Sequence, residues 1–207
     1  ARCWRRRNYR MTVLVKICGL RDAKTVASAI EAGADAIGFV FAESVRKVSI
    51  AEANSAALNI PAHVKRVAVM KQPTRDEWRE VLDGFAPDIL QTDSGDFASL
   101  HVPQSIGRWP VIREGDTVTE WPAEFVYEGR QSGVGQTVDW KEAAQIAAQG
   151  RMILAGGLDA ANVAAAVAET RPWGVDVSSG VESRPGKKDV DRIMEFIGAV
   201  RAAEKQQ

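Results

Sequence analysis

The stretch TVLVKICGLRDAKTVASAIEAGADAIGFVF (residues 12–41) reads as strand, helix, strand. VLVKI (13–17) is a short run rich in β-branched residues, and DAIGFVF (35–41) is a second, apolar almost throughout. Between them, DAKTVASAIEAG (22–33) sets Val26, Ala27, Ile30 and Ala34 along one helical face, and Gly33 supplies a stop. Strands that are apolar at nearly every position, joined by a helix, predict parallel pairing under a cover of helices. Only a sheet buried on both faces dispenses with polar alternation.

Outward from this unit the pattern repeats. Further strands are predicted at VKRVAVM (64–70), DILQT (88–92), WPVIRE (109–114), EFVYE (124–128), RMILA (151–155) and WGVDVS (173–178), eight in all. Their starts lie roughly 15 to 29 residues apart, the room that a strand, a loop and a returning helix require. TRDEWREVLDGF (74–85) repeats the helix design, with Thr74 as N-cap and Glu77 three residues on. DAANVAAAVAET (159–170) and KKDVDRIMEFIGAVRAAEK (187–205) are further helices. Segments 94–108 and 115–123 carry weak helical patterns, so the fourth helix is expected to be broken and the fifth a loop. An open doubly wound sheet and a closed barrel both satisfy such alternation. Eight units in 207 residues favour the barrel: an α/β fold, a single (β/α)8 TIM barrel of minimal size.

Composition narrows the function classes. At 45% hydrophobic and 26% charged residues, the chain is neither disordered nor fibrous. The formal charge balances at 27 basic and 27 acidic residues, but residues 1–10 hold five arginines and no acid. Removing those five leaves 22 basic against 27 acidic residues, a net charge of −5. We read residues 1–10 as a tag or upstream remnant and residues 11–207 as the barrel. A basic arm for nucleic acid is disfavoured, because nothing downstream is basic or interleaved with aromatics. Two cysteines, Cys3 and Cys18, offer neither a disulfide framework nor metal-ligand spacing, which suits a reducing cytoplasm. No apolar run reaches membrane-spanning length, so no membrane partner is expected.

Chemistry in such barrels sits at the C-terminal ends of the strands. Strand seven ends Ala155-Gly156-Gly157-Leu158, and strand eight ends Asp176-Val177-Ser178-Ser179-Gly180. Small residues let backbone N–H groups approach an anion, so Gly156, Gly157, Ser179 and Gly180 are candidate phosphate ligands. One glycine pair alone would equally serve a tight turn; two such turns on neighbouring strands carry the reading. Lys16 and Cys18, two residues apart, share a strand face. A neighbouring ammonium lowers a thiol pKa, so a thiolate base is expected, against the plainer reading of a small buried hydrophobe. Glu128 closes the apolar run FVYE. It is either a solvated strand end or a carboxylic acid of raised pKa able to donate a proton. Arg46, in the loop after strand two, is a solvent charge or a two-pronged holder of a planar carboxylate. Asp176, flanked by Val175 and Val177, needs a substrate hydroxyl or an inward lysine such as Lys16.

At these residues the sequence resembles the phosphoribosylanthranilate isomerase family. The resemblance rests on KICGL (16–20), GADAIGFVFAES followed by Val45 and Arg46 (33–46), ILAGGLDAANV (153–163) and GVDVSSGVESRPGKKD (174–189), with a partial match at SGVGQTVDW (132–140). It implies an isomerase of tryptophan biosynthesis that rearranges a phosphorylated aminosugar without metal or cofactor, working as a monomer or homodimer. Cys18 falls on the family's general base, Glu128 on its general acid and Arg46 on the arginine that meets the anthranilate carboxylate. Asp176 falls near the sugar hydroxyls. The sequence departs from the family in three places: Glu stands for Asp at 128, Val134 interrupts the glycine-rich loop after strand six, and Asp93 follows Gln91-Thr92. Asp93 is expected to add negative charge near an anionic substrate. Two other readings stay open: a related aldose–ketose isomerase of the histidine pathway, alone or as a second activity, and a phosphate-binding barrel without catalysis.

Overall fold

The computed structural model describes residues 12–130 and 137–205. Eight parallel strands close into a barrel in chain order: β1 (Leu14–Cys18), β2 (Ala36–Val40), β3 (Lys65–Val69), β4 (Ile89–Asp93), β5 (Gly107–Arg113), β6 (Glu124–Glu128), β7 (Arg151–Leu154) and β8 (Gly174–Val177). β1 pairs with both β2 and β8, which completes the ring. Outside lie α1 (Ala23–Ala32), α2 (Ile50–Ala57), α3 (Arg75–Phe85), α4 (Trp140–Ala147), α5 (Val163–Thr170) and α6 (Val190–Glu204). The predicted minimal (β/α)8 barrel is the observed one. The weak fourth helical segment is a short 3₁₀ turn at Ser94–Ala98, and a loop joins β5 to β6.

Local chemistry accounts for most element boundaries. Asp22 caps α1 by accepting from Thr25 N–H, and Gly33 ends it at φ 105°. Thr74 and Glu77 form the expected capping box on α3. Two expectations need correction. Ala27 is exposed, and Ala29 takes its place in the core, because the face that contains Val26 returns three residues later rather than one. The last helix begins at Val190, capped by Asp189, while Lys187–Lys188 forms strand β10 against β9 (Glu182–Arg184). The reading of residues 1–10 falls outside the described residues.

The core has two parts. Inside the barrel, Ala36, Val67, Ile89, Trp109, Val111, Val126, Ile153 and Ala155 pack together. Between strands and helices lies a larger layer that includes Ile17, Phe39, Phe85, Phe125 and Phe196. Trp109 plugs the N-terminal end: its Nε1 donates to Glu124 Oε2 (3.0 Å), and its ring meets Trp173 edge-on. The opposite end is left to polar side chains.

Candidate active site

Side-chain alternation along β1 turns Lys16 and Cys18 into the barrel. Register sets Lys16 level with Asp176 of β8, and Cys18 level with Gly38 of β2. Lys16 is wholly buried, and its Nζ donates to Asp176 Oδ2 at 2.8 Å. An ammonium at this depth requires such a partner. Gly38 makes the space: a Cβ there would stand 3.0 Å from Cys18 Sγ and 3.2 Å from Lys16 Cε. Burial pulls the Lys16 ammonium pKa down, but Asp176 and Cys18 outweigh it and the net shift is upward. Lys16 is therefore a fixed cation. The expected thiolate, however, is not the resting form of Cys18. Burial holds its pKa above the ordinary thiol value, although Lys16 and Lys188 oppose that shift.

A cavity of about 240 Å³ opens at the C-terminal mouth. Cys18, Arg46, Glu128, Asp176, Gly156, Gly157 and Ser179 all line it. The strand ends thus bring together most of the residues picked from sequence. Lys16 lies outside the lining and is paired with Asp176, whose second oxygen, Oδ1, has no partner among the described residues. Apolar side chains Val40, Val69, Met70 and Val111 supply part of the wall, a surface suited to a flat ring.

The turns after β7 and β8 stand side by side at the mouth. Gly156 and Gly157 take positive φ values of 92° and 60°. Asn162 Nδ2 ties the turn by donating to Gly157 O (2.8 Å). Ser179–Val181 forms a single 3₁₀ turn after β8. Gly180 is not part of the lining. A Cβ on it would lie 2.0 Å from Leu158 O, so its bare backbone lets the two turns touch.

Arg46 is not a loose solvent charge. Its Nε and Nη2 grip Glu182 Oε1 and Oε2 at 2.7 and 2.9 Å, a two-pronged pair inside the protein. Two of the five guanidinium N–H groups are thereby used, and the rest are available for a second carboxylate. Glu182 is buried and also accepts from Lys188 Nζ (2.9 Å), which donates further to Ser178 O and Oγ. Ser178 Oγ in turn donates to Cys18 O (3.2 Å). Glu182 and Lys188 were missed in the sequence reading. Their signal was a Glu and a Lys six apart around Pro185-Gly186, the spacing of a tight hairpin rather than a helix.

Glu128 and Asp93 share Arg113. Its Nη2 lies 2.6 Å from Asp93 Oδ1 and 3.2 Å from Glu128 Oε1, and all three residues line the cavity. Asp93 is thus paired with an arginine that it shares with a second carboxylate. Arg113 ends β5 one position beyond the apolar run, where a single arginine gave no warning of its role. Val134 and the rest of the loop over 132–135 lie outside the described residues.

A closed eight-stranded barrel carrying acid–base side chains at its C-terminal mouth defines an enzyme of the (β/α)8-barrel class. Sequence comparison narrows the class. The family model described as N-(5'phosphoribosyl)anthranilate (PRA) isomerase matches residues 15–199. The chain belongs to that family of aldose–ketose isomerases. It is 39% identical to the N-(5'-phosphoribosyl)anthranilate isomerase of Listeria monocytogenes over 204 residues, which cover 93% of this chain and all of that protein. The crystal structure of phosphoribosyl anthranilate isomerase from Thermotoga maritima superposes with a TM-score of 0.77 at 28% identity, covering 92% of this chain and 99% of that one. A phosphoribosyl anthranilate isomerase in complex with reduced 1-(o-carboxyphenylamino)-1-deoxyribulose 5-phosphate superposes at 0.74 with 29% identity over the same shares.

Proposed function

We propose that this protein catalyses the Amadori rearrangement of N-(5-phosphoribosyl)anthranilate to 1-(2-carboxyphenylamino)-1-deoxyribulose 5-phosphate, a step of tryptophan biosynthesis. The single observation that carries the assignment of roles is that a thiol and a carboxyl, Cys18 and Glu128, line one cavity with Gly156 and Gly157 of the turn after β7 and Ser179 of the turn after β8. The turns hold the 5-phosphate, Arg46 meets the anthranilate carboxylate, and Asp176 Oδ1 accepts from a ribose hydroxyl.

Glu128 protonates the ribose ring oxygen, the C1–O bond breaks, and the nitrogen lone pair moves in to form an iminium ion. The proton on C2 is then acidic, because its electrons flow into the C=N bond. Cys18 removes it and the enolamine tautomerises to the ketone. Resting Cys18 is a thiol, so the iminium beside it has a second use. The cation placed against the sulfur favours loss of the thiol proton to solvent, and the thiolate so formed is the base that takes the C2 proton and becomes a thiol again. The iminium is itself the electron sink, so the scheme calls for no added cofactor.

Mixing the protein with N-(5-phosphoribosyl)anthranilate tests the reading, because turnover removes the fluorescence of the substrate. Loss of signal far above the uncatalysed rate is expected. Binding of the reduced product analogue with no such loss would leave a phosphate-binding barrel without this activity. No helix among the described residues is long and apolar enough to cross a membrane, and we place the reaction in the cytoplasm, where Cys18 stays reduced.

A further inference from the structure

One arginine stands between two carboxylates on the wall opposite Cys18. Arg113 reaches Asp93 Oδ1 at 2.6 Å and Glu128 Oε1 at 3.2 Å, with side chains only 14–20% exposed. Strand register builds this contact directly. Arg113 is level with Glu128 on β6, and Val111 two residues earlier is level with Asp93 on β4, so the three end neighbouring strands at one corner of the mouth. Of the two carboxylates, Asp93 has the shorter contact.

We propose that Arg113 is a positioning residue whose grip on Glu128 decides how readily that carboxyl carries a proton, and that Asp93 moderates the grip by competing for the same guanidinium. This rests on the reading of Glu128 as the general acid. An arginine holding a carboxylate stabilises its charged form and works against a proton donor. Asp93 offsets this in two ways: it takes the nearer N–H contact, and it adds a negative charge that disfavours ionisation of Glu128. Other charged groups among the described residues face the region. Lys71 on the loop after β3, Glu43 and Arg46 on the loop after β2, and Asp176 of β8 line the same cavity with Cys18. On the near side, Glu114 and Arg130 pair with each other at 3.7 Å, and Asp116 accepts from Arg113 N–H. The segment leaving β7 brings the uncharged Ala155, Gly156, Gly157 and Leu158 to the cavity. Among the described residues, Arg113 is a cation held directly against the Glu128 carboxylate.

The test is a carboxyl-carbon NMR titration of protein labelled at glutamate, with the Glu128 signal identified by its loss in Glu128→Gln. It needs no turnover, so it separates this inference from the assignment of activity. Arg113→Gln is expected to raise the Glu128 midpoint by about one pH unit or more. Asp93→Asn is expected to lower it, and Arg113→Lys to return it most of the way to the wild-type value. Cooperative thermal unfolding of each variant verifies that it is folded. A Glu128 midpoint that stays put in both Arg113→Gln and Asp93→Asn, or that rises as far in Arg113→Lys as in Arg113→Gln, would overturn the proposal. Under the isomerase reading, Arg113→Gln should also move the pH profile of kcat upward with the Glu128 midpoint while KM changes little.

Discussion

Cys18 shows how a single residue is tuned by its neighbours in opposite senses. Burial works against the thiolate, and the Lys16 ammonium works for it. The resulting pKa lies above the ordinary thiol value, so the free protein at neutral pH carries a thiol. Alkylation follows the thiolate fraction, so its rate should rise with pH through a midpoint above that of a simple thiol. In a Cys3→Ser background, which leaves one reacting sulfur, iodoacetamide kinetics measure this directly. Lys16→Met removes the nearest cation and leaves Asp176 opposing the thiolate. The midpoint should then move further up, and a downward move would show that Lys16 is not the group that stabilises the sulfur anion. Lys16 and Cys18 were legible as same-face neighbours from their spacing alone. Their net ionisation was not, because it depends on depth inside a barrel that only closure creates.

At the scale of elements, the site is made where two turns meet. The turn after β7 and the turn after β8 approach so closely that a Cβ on Gly180 would overlap Leu158 O. Gly180→Ala must push the turns apart, and binding of the reduced product analogue should weaken roughly tenfold, about 1.4 kcal/mol. Isothermal titration checks this, and unchanged affinity would remove Gly180 from the phosphate cradle. The eight strands were readable because a parallel sheet covered on both faces leaves nearly unbroken apolar runs. Helices α1 and α3 were readable from caps and periodicity. Helix α2 was missed although Ser49 and Glu52 form a complete capping box, because IAEANSAA carries few large apolar residues. Lys187 and Lys188 read as the start of a helix because lysine suits helices. The hairpin at Gly186, with φ 77°, takes them into a strand instead, and this brings Lys188 to Glu182 and Ser178. Arg46 looked isolated for the same reason: its partner lies 136 residues away in sequence.

For the molecule as a whole, the barrel divides stability from chemistry along its axis. Trp109, 1% exposed, fills the N-terminal end with Trp173, Glu124 and Arg151 around it. Trp109→Ala should cost about 3–5 kcal/mol of stability, measured by chemical denaturation. KM should be unchanged in the protein that remains folded, because the plug lies at the end opposite the mouth. Arg201 of α6 helps hold the ring closed from outside, donating to Val13 O, Gly33 O and Asp35 Oδ2. Under the proposed function, all of this scaffold serves one chemical requirement, a sulfur base and a carboxyl acid facing the same opened sugar. The most direct measurement compares turnover of N-(5-phosphoribosyl)anthranilate with affinity for the reduced product analogue in Cys18→Ala and Glu128→Gln. Each variant should bind the analogue within a few-fold of the parent protein yet lose about 10²–10⁴-fold in kcat. Turnover by Cys18→Ala at close to the parent rate, with the analogue still bound, would contradict the account.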